Sequence, residues 1–261
     1  MLILLILFTL VKELLYRLVA ICYITFVFVT SFCFFLVACV IWLLTVLFDP
    51  NLRALHRFTC HWASLYIWAF PPWSVTVNGR DKINPKLTYV IVSNHQSLVD
   101  ILAAFCLFTH FKWVSKSELF DIPLIGWNMY LNRYVKLERG RTHSVRKMYA
   151  ACEKHLKNGS SIFVFPEGTR STTGKLREFK EGAFVLAKRL NVPILPLVIN
   201  GSKNALPKDS LNFHGRSDVQ VTILDPILPD AFGDMDTSQL TTMVRERIRV
   251  HVAEEVTLPG G

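Results

Sequence analysis

Tyr89-Val90-Ile91-Val92-Ser93-Asn94-His95-Gln96-Ser97-Leu98-Val99-Asp100 is the stretch whose reading decides the fold. A short β-branched apolar run, Tyr89–Val92, meets a polar turn, and a helical pattern follows from Leu98 to Phe108. The same alternation continues on both sides. Ser74–Val77 reads as a strand before it. After it come strands at Phe111–Val114, Tyr134–Leu137, Ser161–Phe165, Pro193–Ile199 and Val219–Leu224. Between them lie helical segments at Glu118–Asn132 (around Pro123 and Gly126), Thr142–Lys157 and Glu181–Leu190, and Ser238–Glu255 closes the series. Thr142–Lys157 ends at Asn158-Gly159, a helix-stop pair. Strands alternating with helices predict an α/β sheet with both faces covered.

Upstream of the sheet the composition changes. The chain has 261 residues, 51% hydrophobic and 19% charged, with mean hydropathy +0.34. Residues 1–48 hold 40 hydrophobic residues and three charges, Lys12, Glu13 and Arg17. The remainder has ordinary globular composition, which excludes collagen-like, disordered and polytopic membrane classes. Leu18–Phe48 carries no charge over 31 residues. As a helix it would measure ~46 Å at 1.5 Å per residue, against a hydrocarbon core of ~30 Å. It is expected to span with tilt or to bend, Thr30-Ser31 being the weakest point. Met1–Val11 lacks the basic start of a signal peptide, so the segment is expected to be a retained membrane anchor, a helix or helix pair. Phe58–Trp73, with Trp62, Tyr66, Trp68 and Trp73, has two readings: an interfacial segment at headgroup depth, or a buried helix of the domain. The expected organisation is therefore an anchor over 1–48, an interfacial segment over 49–73 and a domain over 74–261.

Residues 49–261 carry 27 basic and 19 acidic residues, a balance suited to an anionic membrane surface or a phosphate-bearing substrate. There is no run of five basic residues and no zinc-finger or RNA-motif signature, so nucleic acid is not an expected partner. Six cysteines without a Cys-x-x-Cys pair give neither a disulfide framework nor a zinc site, and no metal is expected.

Two segments carry candidate chemistry, each just after a strand, where α/β sheets collect ligands. In the first, a bend between His95 and Asp100 would bring carboxylate to imidazole and make His95 a general base. Ser97-x-x-Asp100 also reads as a capping box for the following helix, with the Ser97 hydroxyl as cap rather than nucleophile. In the second, Phe163-Val164-Phe165-Pro166-Glu167-Gly168-Thr169-Arg170-Ser171, Gly168 permits close backbone approach and Arg170 can fork onto a phosphate. The competing reading is a polar turn with a surface arginine. The Gly-Lys-Ser/Thr ending of a Walker loop is missing.

Together these segments resemble the glycerophospholipid acyltransferase superfamily, in particular the 1-acylglycerol-3-phosphate (lysophosphatidic acid) acyltransferases. Asn94-His95-Gln96-Ser97-Leu98-Val99-Asp100 matches its first block. Lys116-Ser117-Glu118-Leu119, with Pro123, Gly126 and Arg139, is similar to its second. Phe165–Ser171 and Val192-Pro193-Ile194-Leu195-Pro196 match its third and fourth. Leu137-Glu138-Arg139 stands where many members carry an Ile-Asp-Arg type sequence. The resemblance runs from about residue 75 to 225 and implies a single mixed sheet flanked by helices.

It also implies acyl transfer from acyl-CoA or acyl-carrier protein onto a glycerol hydroxyl, with no cofactor. His95 would deprotonate the acceptor and Asp100 would orient His95. Lys116, Arg139 and Arg170 would hold the acceptor phosphate, while Asn94, Ser97, Glu167, Gly168 and Thr169 would shape the site. The expected reaction makes phosphatidic acid from lysophosphatidic acid at the cytoplasmic face of a membrane. Another lysophospholipid or glycerol-3-phosphate as acceptor, or a non-catalytic lipid-phosphate binder, are the alternatives.

Overall fold

A computed structural model describes residues 2–171, 174–203, 205 and 216–253. Its centre is β2, Val90–Ser93, buried along its whole length. β2 runs parallel to β5 (Ser161–Val164) on one side and to β6 (Ile194–Asn200) on the other. β3 (Phe111–Lys116) and β4 (Val135–Leu137) extend the parallel stack beyond β5. β7 (Ser217–Ile223) pairs antiparallel with β6, and β1 (Trp73–Asn78) lies parallel to β7, giving the order β1-β7-β6-β2-β5-β3-β4. The inner strands are continuous apolar runs because helices cover both faces. β7, nearer the edge, alternates buried and exposed residues.

Successive side chains divide the core. Ile91 points to a cluster with Ala103, Phe111, Trp113 and Phe163. Val90 and Val92 point to the other, with Cys152, Phe184, Leu240 and Val244. The first face carries α2 (Arg53–Trp68) and α3 (Val99–Phe105); the second carries α5 (Thr142–Lys157), α6 (Gly182–Leu190) and α7 (Thr237–Arg249). α4 (Ile125–Leu131) packs against the N-terminal helix α1 (Leu2–Thr45). α3 stops before the expected Phe108, which takes a left-handed φ of 53° and turns the chain into β3. α7 opens on an Asp236/Gln239 capping box and ends at Arg249; the expected last residues, 254 and 255, lie outside the described residues.

The apolar N-terminal segment is one uninterrupted helix, α1, Leu2–Thr45. Its Leu14–Thr45 portion is long and apolar enough to cross a membrane. It is not interrupted at Thr30-Ser31. Thr30 Oγ1 donates within the helix to Phe26 O at 2.6 Å, and Ser31 Oγ meets the Tyr66 hydroxyl of α2 at 2.7 Å. α2 is amphipathic: Leu55, Cys60, Trp62, Tyr66 and Ile67 are buried between α1 and the sheet, while Trp68 is exposed.

Candidate active site

The carboxyl ends of β2 and β5 lie side by side, and the site is assembled from the two loops that leave them. Beyond β2, the Asn94 side chain donates to Ile199 O at 2.8 Å and accepts from Ile199 N at 2.8 Å, so its amide substitutes for a rung of the ladder. The next residue, His95, is gripped through its backbone by the β5 loop. Its N–H donates to Glu167 Oε1 at 2.6 Å, and its carbonyl accepts from Ser171 N at 2.8 Å.

Asp100 sits in the first turn of α3 and is fully buried. One oxygen, Oδ2, accepts three hydrogen bonds: from Gln96 N at 2.6 Å, Ser97 N at 2.8 Å and His95 Nδ1 at 2.8 Å. The two readings of Ser97-x-x-Asp100 are therefore one structure. By drawing the backbone of 96 and 97 around the helix start, the carboxylate wraps the loop and carries the imidazole onto itself. The Ser97 hydroxyl accepts from Val99 N at 3.3 Å and is buried, a helix-start role. With Nδ1 donating to the carboxylate, Nε2 is the basic nitrogen of His95.

Two further residues support the imidazole. The Phe165 ring stacks on it with centroids 3.9 Å apart and planes 10° from parallel, and Trp113 backs Phe165 at 5.4 Å. The second oxygen of Glu167 accepts from Arg177 N at 3.0 Å, so this side chain bridges three chain segments. Burial pushes its carboxyl up to about 7, against the pull of the Arg177 and His95 N–H bonds. Gly168 takes φ +71°, and a Cβ there would meet Lys180 Cε at 3.0 Å, so the loop lies flat beneath the Lys180 chain. Phe165 and the Glu167 bridge were not singled out from sequence: both act on His95 across some seventy residues of chain.

Thr169 and Arg170 follow, half-buried, on the same loop. Lys116 and Arg139 stand at the carboxyl ends of β3 and β4, where Lys116 pairs with Leu137. Both cations act on Glu118. Its carboxyl is held low first by its own backbone N–H and the Ser117 hydroxyl, then by Lys116 and Arg139. The candidate cations thus share one edge with His95 but not one radius. With strands about 4.8 Å apart, the loop bearing Arg170 is one strand from β2. Lys116 is two strands away, roughly 10 Å, and Arg139 three, roughly 14 Å. Among the described residues no group of three or more His, Cys, Asp or Glu is placed to hold a metal ion.

An apolar cavity of about 390 Å³ starts beside this loop. Leu98 and Val99, directly after Gln96-Ser97, form one wall with Leu102; Trp113, Trp62 and Met129 close it, and Tyr23 and Ile24 of α1 contribute a side. From sequence Tyr23 and Ile24 fall in the expected anchor, Trp62 in the 49–73 segment and Leu98 and Val99 in the first block.

The structure thus sets a His95–Asp100 pair at the carboxyl edge of a mixed sheet, on a loop whose next residues, Leu98 and Val99, line an apolar cavity. Residues 74–200 match the family model described as Acyltransferase. The chain belongs to the acyltransferase family. A chloroplastic 1-acyl-sn-glycerol-3-phosphate acyltransferase of Arabidopsis thaliana is 38% identical over 184 residues, 70% of this chain and 51% of that protein. The 1-acyl-sn-glycerol-3-phosphate acyltransferase alpha of Mus musculus is 30% identical over 188 residues, 71% of this chain and 66% of that protein. The chain spans about half the length of the plant relatives it matches. In fold it is similar to the 1-acyl-sn-glycerophosphate acyltransferase of Thermotoga maritima, with a TM-score of 0.73 at 23% identity over 94% of this chain and 100% of that one. His95 and Asp100, after β2, and Glu167, Gly168 and Arg170, after β5, all lie within the matched residues 74–200.

Proposed function

We propose that this protein transfers a fatty acyl group from acyl-CoA or acyl-carrier protein to the sn-2 hydroxyl of lysophosphatidic acid, giving phosphatidic acid. The observation that carries the reading is the His95–Asp100 pair beside an apolar cavity: a base with its second nitrogen available, next to space of the class that takes an acyl chain. His95 Nε2 takes the proton of the acceptor hydroxyl as its oxygen attacks the thioester carbonyl. Asp100 stabilises the imidazolium. When the tetrahedral intermediate collapses, the C–S bond breaks and the proton passes from His95 to the departing thiolate. The acyl chain lies in the cavity, and Arg170 holds the acceptor phosphate. α1 keeps the domain at the bilayer, with the site on the cytoplasmic face, where acceptor and product both reside.

The test is an acyl-transfer assay on membranes containing the full chain, pairing lysophosphatidic acid with acyl-CoA or with acyl-carrier protein. His95→Ala and Asp100→Asn are each expected to lose 10²–10⁴-fold in turnover, roughly the contribution of positioned acid–base catalysis. Asparagine can donate where Asp100 accepts, which favours the wrong imidazole tautomer. Wild-type turnover in His95→Ala overturns the general-base assignment; no transfer by the wild type to any acceptor leaves the fold with a binding role.

A further inference from the structure

The segment between β3 and β4 has an outer face that carries none of the catalytic residues. A 3₁₀ turn, Ser117–Asp121, leads through Ile122-Pro123-Leu124 into α4. The two pieces are folded tightly on each other: Leu124 adopts φ +65°, and a Cβ on Gly126 would lie 2.2 Å from Phe120 O. Their inner side is ordinary core, with Phe120, Leu124, Asn128 and Met129 buried. Their outer side is not an ordinary surface. Ile122, Ile125, Trp127 and Tyr130 are 41–52% exposed, where a soluble helix would place charged or polar residues.

Two observations say what covers this face. First, it abuts α1 at Phe35, where the packed side of that helix gives way to its exposed side. The Trp127 ring lies 5.5 Å from Phe35, and Ile24 of α1 lines the apolar cavity together with Ile122 and Ile125. Phe28, Phe32 and Leu36 of α1 are themselves exposed, so any medium that covers α1 reaches α4 without a break. Second, the margin carries a small net positive charge. Lys136 Nζ lies 3.3 Å from the Tyr130 hydroxyl and 5.8 Å from the Phe120 and Tyr130 ring centres, and Arg133 and Lys116 are exposed on the flanking turns. Glu118 and Asp121 lie on the same segment, Glu118 4.0 Å from Lys116 and Asp121 acting on Lys136, so three cations face two carboxylates. Aromatic rings with apolar side chains inside a rim of lysine and arginine are the pattern of a bilayer interface bearing anionic headgroups.

We infer that Ile122, Ile125, Trp127 and Tyr130 form a second bilayer-docking surface, continuous with α1, which sets the rim of the apolar cavity in the interfacial layer of the membrane. The inference rests on the membrane residence proposed above and is independent of acyl transfer. Its consequence is a dry route: a lipid tail passes from the bilayer over Ile122 and Ile125 into the cavity beside His95 without crossing water.

The experiment uses the full chain with Cys22, Cys33 and Cys39 replaced by alanine, the other three cysteines being buried. An environment-sensitive fluorophore is attached at Trp127→Cys, at Tyr130→Cys or, as a control on the exposed side of α5, at Lys147→Cys. Each protein is reconstituted in vesicles of phosphatidylcholine and phosphatidylglycerol, with and without lipid brominated on its acyl chains. Quenching several-fold stronger at 127 and 130 than at 147 supports the surface. Equal, weak quenching at all three positions in vesicle-bound protein overturns it, as does failure to bind vesicles. A second reading separates docking from catalysis. Trp127→Glu, with Trp127→Phe as its conservative control, is expected to raise KM for vesicle-presented acceptor about tenfold, equivalent to about 1.4 kcal/mol, and to leave turnover in detergent micelles unchanged. Equal loss in both media assigns Trp127 to folding and overturns the surface. If no acceptor is turned over at all, the quenching still decides.

Discussion

At the scale of single residues the site depends on carboxylates that hold backbone as well as side chains. Glu167 accepts from the N–H groups of His95 and Arg177 with one oxygen each, so the loop that supplies the base is fixed by a residue of the neighbouring strand's loop. Burial raises its carboxyl from an ordinary 4.5 to about 7. A raised folded-state value means that the fold favours the protonated form: its contribution is full below about 4.5 and is lost as pH rises through about 7. Wild-type protein in detergent is therefore expected to lose about 2–3 kcal/mol of stability between pH 5 and pH 8 from this residue. In Glu167→Gln that slope should flatten, and the variant should be less stable at pH 5 by about 1–3 kcal/mol, because its NH₂ group faces a backbone N–H. Thermal melts at the two pH values check both, and an unchanged slope refutes the linkage. The cations proposed to hold the phosphate are graded by strand. In a lysophosphatidate the reacting hydroxyl and the phosphate are a few covalent bonds apart, which suits Arg170, one strand from His95, better than Arg139, three strands away. Arg170→Ala should raise KM for lysophosphatidic acid by about tenfold or more, the loss of a charge-assisted pair, without the same effect on a neutral acceptor. Arg139→Ala should change it little; the reverse order would place the phosphate over β4.

At the scale of elements, the polar part of the join between α1 and α2 centres on the Tyr66 hydroxyl. Tyr66 OH receives the Trp62 Nε1 proton at 2.7 Å and meets Ser31 Oγ at 2.7 Å and Val27 O at 3.2 Å. Tyr66→Phe keeps the ring and strands these groups in a buried place, a cost of about 1–3 kcal/mol. The melting temperature in detergent should fall by several degrees, and a melt identical to wild type would show that the helices are held by ring packing alone. This join also marks where the sequence stops being legible. Strand–helix alternation is a local signal, so the parallel stack and α5 (Thr142–Lys157) fall where the periodicity puts them. Partners far apart in sequence leave no local trace. Nothing in Val219–Leu224 announces antiparallel pairing to β6, and nothing in Thr30-Ser31 announces that a suspected weak point is a docking point. His95 and Asp100 were readable because five residues separate them. The Phe165 ring under the imidazole was not, because its spacing from His95 is set only by the pairing of β2 with β5.

At the scale of the whole molecule, composition alone divides the chain into an anchor over residues 1–48 and a separate domain. The contacts argue the opposite. The inner side of α1, including Val27, Phe34, Phe35, Ala38 and Trp42, covers Leu52, Leu55, Trp62 and Tyr66 of the following segment. Uncovering an apolar side chain costs about 1.5–3 kcal/mol, and four of them approach the 5–15 kcal/mol that holds a typical domain together. Tyr23, Ile24 and Val27 are also wall residues of the apolar cavity. A chain of residues 49–261 is therefore expected to aggregate on removal from detergent, seen as void-volume elution in size-exclusion chromatography. Where it is kept folded in detergent, it should lose acyl transfer even with His95, Asp100 and Glu167 intact, because the cavity is open along one side. A soluble monomer that melts like the full chain and still transfers acyl groups would reduce α1 to a tether. Failure of transfer with folding preserved would instead show that the helix facing the membrane is also a wall of the site.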